Sequence, residues 1–274
     1  MAKRGIARMR VVRSEWLTPH VIRVVLRGEF VTNGFTDKYV KLLFPKPGVA
    51  YPEPIDLDVV RRDYPRDQWP TTRTYTVRWY DPDAGELAID FVTHGEEGFA
   101  APWAVAARPG DEVIVRGPGG AYAPDPAADW HLLVGDESAL PAIGAALEVL
   151  PPGVPAHVFL QVADEAEVQK LVSPADVTAT WLFRSDFPTP EAASDALVAA
   201  VRALDFQPGV VHVFVHGEAG YVADLRRHLT AERGVPKELL SISGYWRRGK
   251  NEDGWQAEKA ELRRRDEAAA GGGS

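Results

Sequence analysis

Pro124-Asp125-Pro126-Ala127-Ala128-Asp129, followed by Trp130-His131-Leu132-Leu133-Val134-Gly135, divides this 274-residue chain into two rhythms. Downstream of the prolines, Trp130–Gly135 is a compact apolar strand and Ala139–Leu150 has helical spacing. Strand Ala156–Ala163, short helix Glu165–Leu171, strand Thr180–Arg184, helix Pro190–Leu204, strand Val210–His216 and helix Tyr221–Arg233 follow. Such alternation produces crossover units and a parallel sheet whose strands are covered on both faces. Upstream, the period is two. In His20–Arg27, Ile22, Val24 and Leu26 share one face while Arg23 and Arg27 point the other way, as in a half-buried strand. Ile6–Arg13, Tyr39–Phe44, Arg73–Tyr80, Glu86–His94 and Asp111–Arg116 read the same way, with turn residues at Pro82–Gly85 and Arg108–Asp111.

The expected fold is therefore a six-stranded antiparallel Greek-key β-barrel followed by an α/β domain of nucleotide-binding type. The barrel takes residues 1–124, the parallel-sheet domain 129–250, and a C-terminal helix, Gln256–Ala270, with a flexible tail takes 251–274. Tyr51–Pro70, rich in Pro, Asp and Arg, reads as an excursion from the barrel.

Composition narrows the chemistry. Cysteine is absent, which excludes disulfides, thiol nucleophiles and thiolate-held metal. The 7 histidines form no H-E-x-x-H or similar cluster, so no metal site is expected. With 31 basic and 39 acidic residues the net charge is −8, which argues against a general nucleic-acid binder. No apolar run is long enough for a membrane span, and the basic N-terminal stretch lacks the apolar core of a secretory signal. A cytoplasmic location is expected.

Three segments carry chemistry. In Arg73-Thr74-Tyr75-Thr76 the alternation of a strand puts Arg73 and Tyr75 on one face. A guanidinium there can hold a diphosphate, an aromatic ring two residues on can lie against a flat cofactor, and Thr76 offers a hydroxyl. An exposed strand with a surface arginine and a packed tyrosine would look the same. Asp90-Phe91-Val92-Thr93-His94-Gly95 ends a strand, and Phe99-Ala100-Ala101-Pro102-Trp103 begins a helix. Small residues there let backbone amides approach a phosphate, although a plain corner has the same pattern. Gly135-Asp136-Glu137-Ser138-Ala139 joins a buried strand to a helix, where a dinucleotide would bind. Glu137 stands where the glycine-rich fingerprint has a second glycine, and two carboxylates repel a diphosphate.

Together these segments resemble the siderophore-interacting, FAD-binding proteins, or ferric-siderophore reductases, of the ferredoxin-reductase-like superfamily. The matching stretches are RTYTVR (73–78), DFVTHGEEGFAAPWA (90–104), VRGPGG (115–120), VGDESALPAI (134–143), VHGEAG (215–220) and GYWRRG (244–249), over about residues 8 to 250. The resemblance implies non-covalent FAD held by Arg73, Thr74, Tyr75 and Thr76, and by Asp90, Phe91, Val92, His94, Gly95, Ala100, Ala101 and Trp103. Phe99 departs from the proline usual at its position. The resemblance further implies a pyridine-nucleotide loop at Gly135, Asp136, Glu137, Ser138 and Ala139, and an aromatic border at Tyr245 and Trp246.

The implied reaction passes electrons from NADH, NADPH or ferredoxin through FAD to siderophore-bound Fe(III), releasing Fe(II). An anionic ferric siderophore needs local positive charge on this acidic chain, and Lys41, Arg116, Arg247 and Arg248 are the candidates, with Lys250 beside them. No basic cluster for a 2′-phosphate follows Ala156–Ala163, which favours NADH. His94 and His216 end strands, where histidine more often orients backbone, and electron transfer needs no base. Two other functions fit: a general NAD(P)H:flavin or ferric reductase, and a non-catalytic siderophore-binding flavoprotein.

Overall fold

Alternating side chains upstream of the joint build one antiparallel sheet, ordered β4-β3-β7-β1-β2-β6-β5, in the computed structural model, which describes residues 5–93, 98–252, 254–259, 261 and 264. Its strands are β1 (Gly5–Thr18), β2 (Val21–Arg27), β3 (Tyr39–Phe44), β4 (Thr71–Thr76), β5 (Trp79–Asp81), β6 (Glu86–Val92) and β7 (Glu112–Gly119). The expected single strand Arg73–Tyr80 is two, which makes seven strands instead of six. Thr76 and Val77 are both buried, and two successive buried residues break the in–out alternation that a straight strand needs. The chain turns a corner there. Val77 N donates to Lys38 O and Arg78 N to Ala88 O, both at 2.8 Å, so β4 pairs with β3 at one edge while β5 pairs with β6 at the other. One bent segment thus carries the chain from one edge of the sheet to the other and curls it toward a barrel, while β4 and β5 remain its two end strands.

The barrel interior holds Val24, Leu26, Val40, Leu42, Leu87, Ile89, Phe91, Val113 and Val115. Burying each such side chain contributes roughly 1.5–3 kcal/mol. Helix α2 (Ala100–Ala106) packs Ala100 and Ala104 onto this core. The excursion folds back through helix α1 (Leu57–Asp63), whose Leu57 and Val60 cover Leu43 and Ile114 on the outer face.

Beyond the joint lies a parallel sheet, ordered β10-β9-β8-β11-β12. Its elements are β8 (Trp130–Asp136), α3 (Leu140–Leu147), β9 (Pro155–Val162), β10 (Asp176–Phe183), α4 (Pro190–Arg202), β11 (Val211–Glu218), α5 (Ala219–Arg227) and β12 (Leu240–Trp246). The chain leaves β8 toward β9 and β10, then returns to its other side with β11 and β12. The carboxyl ends of β8 and β11 therefore flank a topological switch point. Two expectations are corrected here. The helix at Glu165–Leu171 is a single turn, Glu165–Glu167, and Leu240–Trp246 is a fifth strand. Glu167 is drawn under the barrel, where its carboxylate accepts from Thr18 Oγ1 at 2.5 Å and lies 2.6 Å from His20 Nδ1. Residues 254–259 of the C-terminal segment are helical; residues 265–270 of the expected helix lie outside the described residues.

Arg78 also links the two sheets, in a bidentate pair with Glu148. Among the described residues no helix is long and apolar enough to cross a membrane, and no group of three His, Asp or Glu could hold a metal.

His131, on β8, is fully buried and neither ring nitrogen has a hydrogen-bond partner. Burial, reinforced by His212, pushes its pKa down from 6.5 to about 4. A depressed folded-state value means that the unfolded chain binds the proton first. Stability is then intact above the unfolded value and falls as pH drops from 6.5 toward 4. The expected loss is about 2 kcal/mol by about pH 5. Urea unfolding of His131→Leu should show a shallower acid limb than the parent chain; equal slopes would contradict this origin.

Candidate functional site

The β3–β4 register fixes how the first motif is presented. Arg73 lies opposite Leu42 and Tyr75 opposite Val40, both core residues, so Arg73 and Tyr75 share the barrel-facing side. Thr74 lies opposite Lys41, and Lys41 opposite Arg116, which puts this row on the other side of the sheet. The substrate candidates Lys41 and Arg116 are thus neighbours of each other, across the sheet from Arg73 and Tyr75.

The unpaired edge of β4 is an anion site. Thr74 N donates to Glu252 Oε1 at 3.1 Å, and Arg73 Nε lies 3.6 Å from Glu252 Oε2. Burial pushes the Glu252 carboxyl up, while Arg73, Thr74 and Lys41 pull it back down. A carboxylate held by a guanidinium and a backbone amide shows that this donor set suits the charge of a diphosphate.

Aromatic rings extend from that edge into the barrel. Tyr75 and Phe91 have centroids 4.4 Å apart, and Phe91 lies 5.9 Å from Trp103. Phe44 contacts both Trp103 and Phe99, at 5.8 and 5.6 Å, so the phenylalanine at the family's proline position extends this wall. Burial pushes the Tyr75 phenol up, so it stays neutral. Helix α2 starts at Ala100 and Ala101 with no side-chain cap on its first amides, and Gly98 before it has φ +93° with open space where a Cβ would sit. Donors, rings and small residues together fit FAD.

Some expected cofactor residues are otherwise engaged. Asp90 accepts from Arg23 Nε and Nη2 at 2.6 and 2.8 Å. Thr76 is a side-chain hydrogen-bond partner of the half-buried Tyr245. Val92 ends β6 half-buried. His94 and Gly95 lie outside the described residues.

At the switch point the acidic loop is also occupied. Asp136 Oδ2 accepts from Glu218 N at 2.9 Å, Tyr221 Oη at 3.1 Å and Trp246 Nε1 at 2.9 Å. Its Oδ1 accepts from Ser138 N at 2.9 Å and Ser138 Oγ at 2.5 Å. Asp136 is therefore a knot joining β8, β11, α5 and β12, and it holds the half-exposed Trp246 indole in place. Gly135 lets α3 approach, since a Cβ there would lie 2.6 Å from that of Ala139. Glu137 accepts from Arg184 Nη2 and Nη1 at 2.5 and 2.8 Å.

His216 is buried, its Nε2 lies 2.9 Å from Ser241 Oγ, and its ring stacks on Phe214. Burial and then Lys259 push its pKa down to about 3, so it is a neutral structural histidine. The last cations are paired as well. Arg248 Nη1 lies 2.9 Å from Glu191 Oε1, and Arg247 Nη1 lies 3.2 Å from Glu258 Oε1, with Lys250 on the same carboxylate.

Sequence reading did not single out Arg184 or Glu252. Arg184 ends the expected strand Thr180–Arg184 with no motif around it. Glu252 follows the last matching stretch, and only the fold brings it to β4.

Comparison with known proteins agrees with this geometry. Residues 10–122 match the family described as siderophore-interacting FAD-binding domain, and residues 128–249 match siderophore-interacting protein. The chain is 34% identical over 260 residues to ferric vibriobactin reductase ViuB of Vibrio cholerae, covering 90% of this chain and 92% of that one. It is 33% identical over 249 residues to the NADPH-dependent ferric-chelate reductase of Escherichia coli, covering 86% and 91%. The solved siderophore-interacting protein SipS of Aeromonas hydrophila superimposes with a TM-score of 0.79 at 30% identity, covering 94% and 98%. Ferredoxin reductases share the fold at 10% to 15% identity.

Proposed function

From the premise that this chain belongs to the siderophore-interacting, FAD-binding family, we propose that it is an FAD-dependent ferric-siderophore reductase that works in the cytoplasm. The observation that carries the reading is the β4 edge, where Arg73 and the Thr74 amide form an anion site beside the Tyr75–Phe91–Trp103 wall. The printed names of the Vibrio cholerae and Escherichia coli relatives, both ferric reductases, support it.

When bound, FAD would supply the chemistry that no side chain here has, accepting two electrons from a donor and passing them on singly to iron. The chain's own residues bind and orient. Arg73 and Thr74 would hold the diphosphate, Tyr75 would lie against the ring system, and Trp246, steadied by Asp136, would border it. His216 is held neutral and moves no proton. Reduced iron is softer and less charged, and hard siderophore oxygens hold it more weakly, so release follows from reduction without protein ligands.

For the substrate we keep Lys41, Arg116, Arg247 and Arg248, with Lys250 beside them, as the proposed contacts for an anionic siderophore. Lys41→Ala combined with Arg247→Ala is expected to weaken ferric-siderophore binding while FAD stays bound; an unchanged titration would contradict the assignment.

For the donor we favour NADH over NADPH or ferredoxin. We take Arg184, which follows β10, as the candidate cation for a 2′-phosphate, and its guanidinium is engaged bidentately by Glu137. Glu137→Gln should release it and raise the kcat/KM ratio of NADPH over NADH by about 10-fold, from one charge-assisted hydrogen bond of roughly 1.5 kcal/mol. An unaltered ratio would remove Arg184 from the donor site.

The reading is tested by initial rates with Fe(II) captured by a colorimetric chelator. A ferric siderophore should be preferred over ferricyanide and free FMN in both rate and affinity. Equal or better use of the simple acceptors would favour the general flavin or ferric reductase instead.

A further inference from the structure

The C-terminal segment contributes acid where the proposed ligands need base. Glu252 bonds the Thr74 amide at 3.1 Å and faces Arg73 at 3.6 Å, at the β4 edge. Six residues on, Glu258 pairs with Arg247 at 3.2 Å and with Lys250. Both carboxylates thus sit on cations that the function assigns to anionic ligands.

The segment is docked by other groups. Trp255 is buried against Gly244 of β12, where an added Cβ would come within 2.9 Å of its Cζ2. Lys259 Nζ donates to Ser243 Oγ at 2.7 Å and to Gly244 O at 2.9 Å. Arg247 lies over the Trp255 ring at 5.9 Å. An apolar anchor and an ammonium therefore hold the segment on β12 independently of Glu252.

We propose that Glu252 is a built-in competitor for the diphosphate of FAD, occupying the Arg73 and Thr74 donors so that the cofactor binds only when this carboxylate yields. Two like charges cannot share one guanidinium and one amide without strong repulsion. Placing Glu252 there also costs desolvation, and burial accordingly pushes its carboxyl up. A neutral amide at this position could still accept from Thr74 N, more weakly, but would not compete for Arg73 by charge, so it is the charge that sets Glu252 against a diphosphate. Glu252 would then set cofactor affinity and make loading depend on where Trp255 and Lys259 hold it. This inference rests on the FAD reading above.

The test is titration of flavin-free protein with FAD and with riboflavin, which lacks the diphosphate, following flavin fluorescence. Glu252→Gln and Glu252→Ala should each bind FAD about 10-fold more tightly than the parent chain, while riboflavin affinity stays the same. The riboflavin arm also reports that each variant is folded. Unchanged or weaker FAD binding in both variants would overturn the proposal and leave Glu252 a structural pin. Failure of parent and variants alike to bind FAD would overturn the cofactor reading, and the proposal with it.

Discussion

Arg73→Ala is expected to weaken FAD binding by about 10- to 100-fold while leaving riboflavin affinity unchanged. A charge-assisted hydrogen bond is worth roughly 1.5–3 kcal/mol, which converts to that range. The arginine sits opposite Leu42 on the barrel-facing side of β4, with a carboxylate already 3.6 Å from its Nε. In the proposed function it holds negative charge at the strand edge. Removing it leaves the Thr74 amide as the remaining donor of the pair and leaves the Tyr75–Phe91 wall intact. Calorimetric titration with the two flavins separates the contributions. If Arg73→Ala weakened riboflavin as much as FAD, the arginine would be supporting the barrel and not the diphosphate.

Asp136→Ala should produce the largest loss of stability, about 3–5 kcal/mol, because it leaves buried donors without an acceptor. Five hydrogen bonds end on this one carboxylate, from Ser138 N, Ser138 Oγ, Glu218 N, Tyr221 Oη and Trp246 Nε1. They connect strands β8, β11 and β12 at the switch point, so no local rearrangement can replace them all. The neighbouring turn has little slack: Gly217 has φ +138°, and a Cβ there would lie 2.5 Å from Asp136 Oδ2. The melting temperature should fall by about 10 °C. A loss below about 1 kcal/mol, measured by urea unfolding, would mean that Asp136 serves a ligand and not the fold. Trp246 should also loosen in the variant, which indole fluorescence anisotropy would detect.

The double module was legible because both halves advertise their periods. Val24 and Leu26 alternate with Arg23 and Arg27, and Trp130–Gly135 has no alternation at all, as expected for a strand covered on both faces. The corner at Val77 was not legible, because consecutive buried residues within a strand pattern do not reveal which strand edge the chain crosses to. Strand β12 was missed for a related reason: Leu240–Trp246 is an edge strand, mostly half-buried, and its pattern is weak. At the site, Arg73 and Tyr75 share one side of β4, and the rings of Tyr75, Phe91 and Trp103 form a contiguous wall. Asp90, Asp136 and Glu137 were legible as acids near the cofactor segments but not as acids already consumed by Arg23, by five donors and by Arg184. Partners so distant in sequence are decided by packing, and the same holds for Glu252 against Thr74, 178 residues apart.

The most direct measurement is the visible absorption spectrum of the purified chain under anaerobic conditions, recorded before and after NADH and again after a ferric siderophore. The account predicts a yellow protein, or one made yellow by added FAD, that bleaches with the donor and regains its colour as the iron complex is consumed. A protein that stays colourless with FAD, or whose bound flavin is never bleached by NADH, NADPH or reduced ferredoxin, would contradict it.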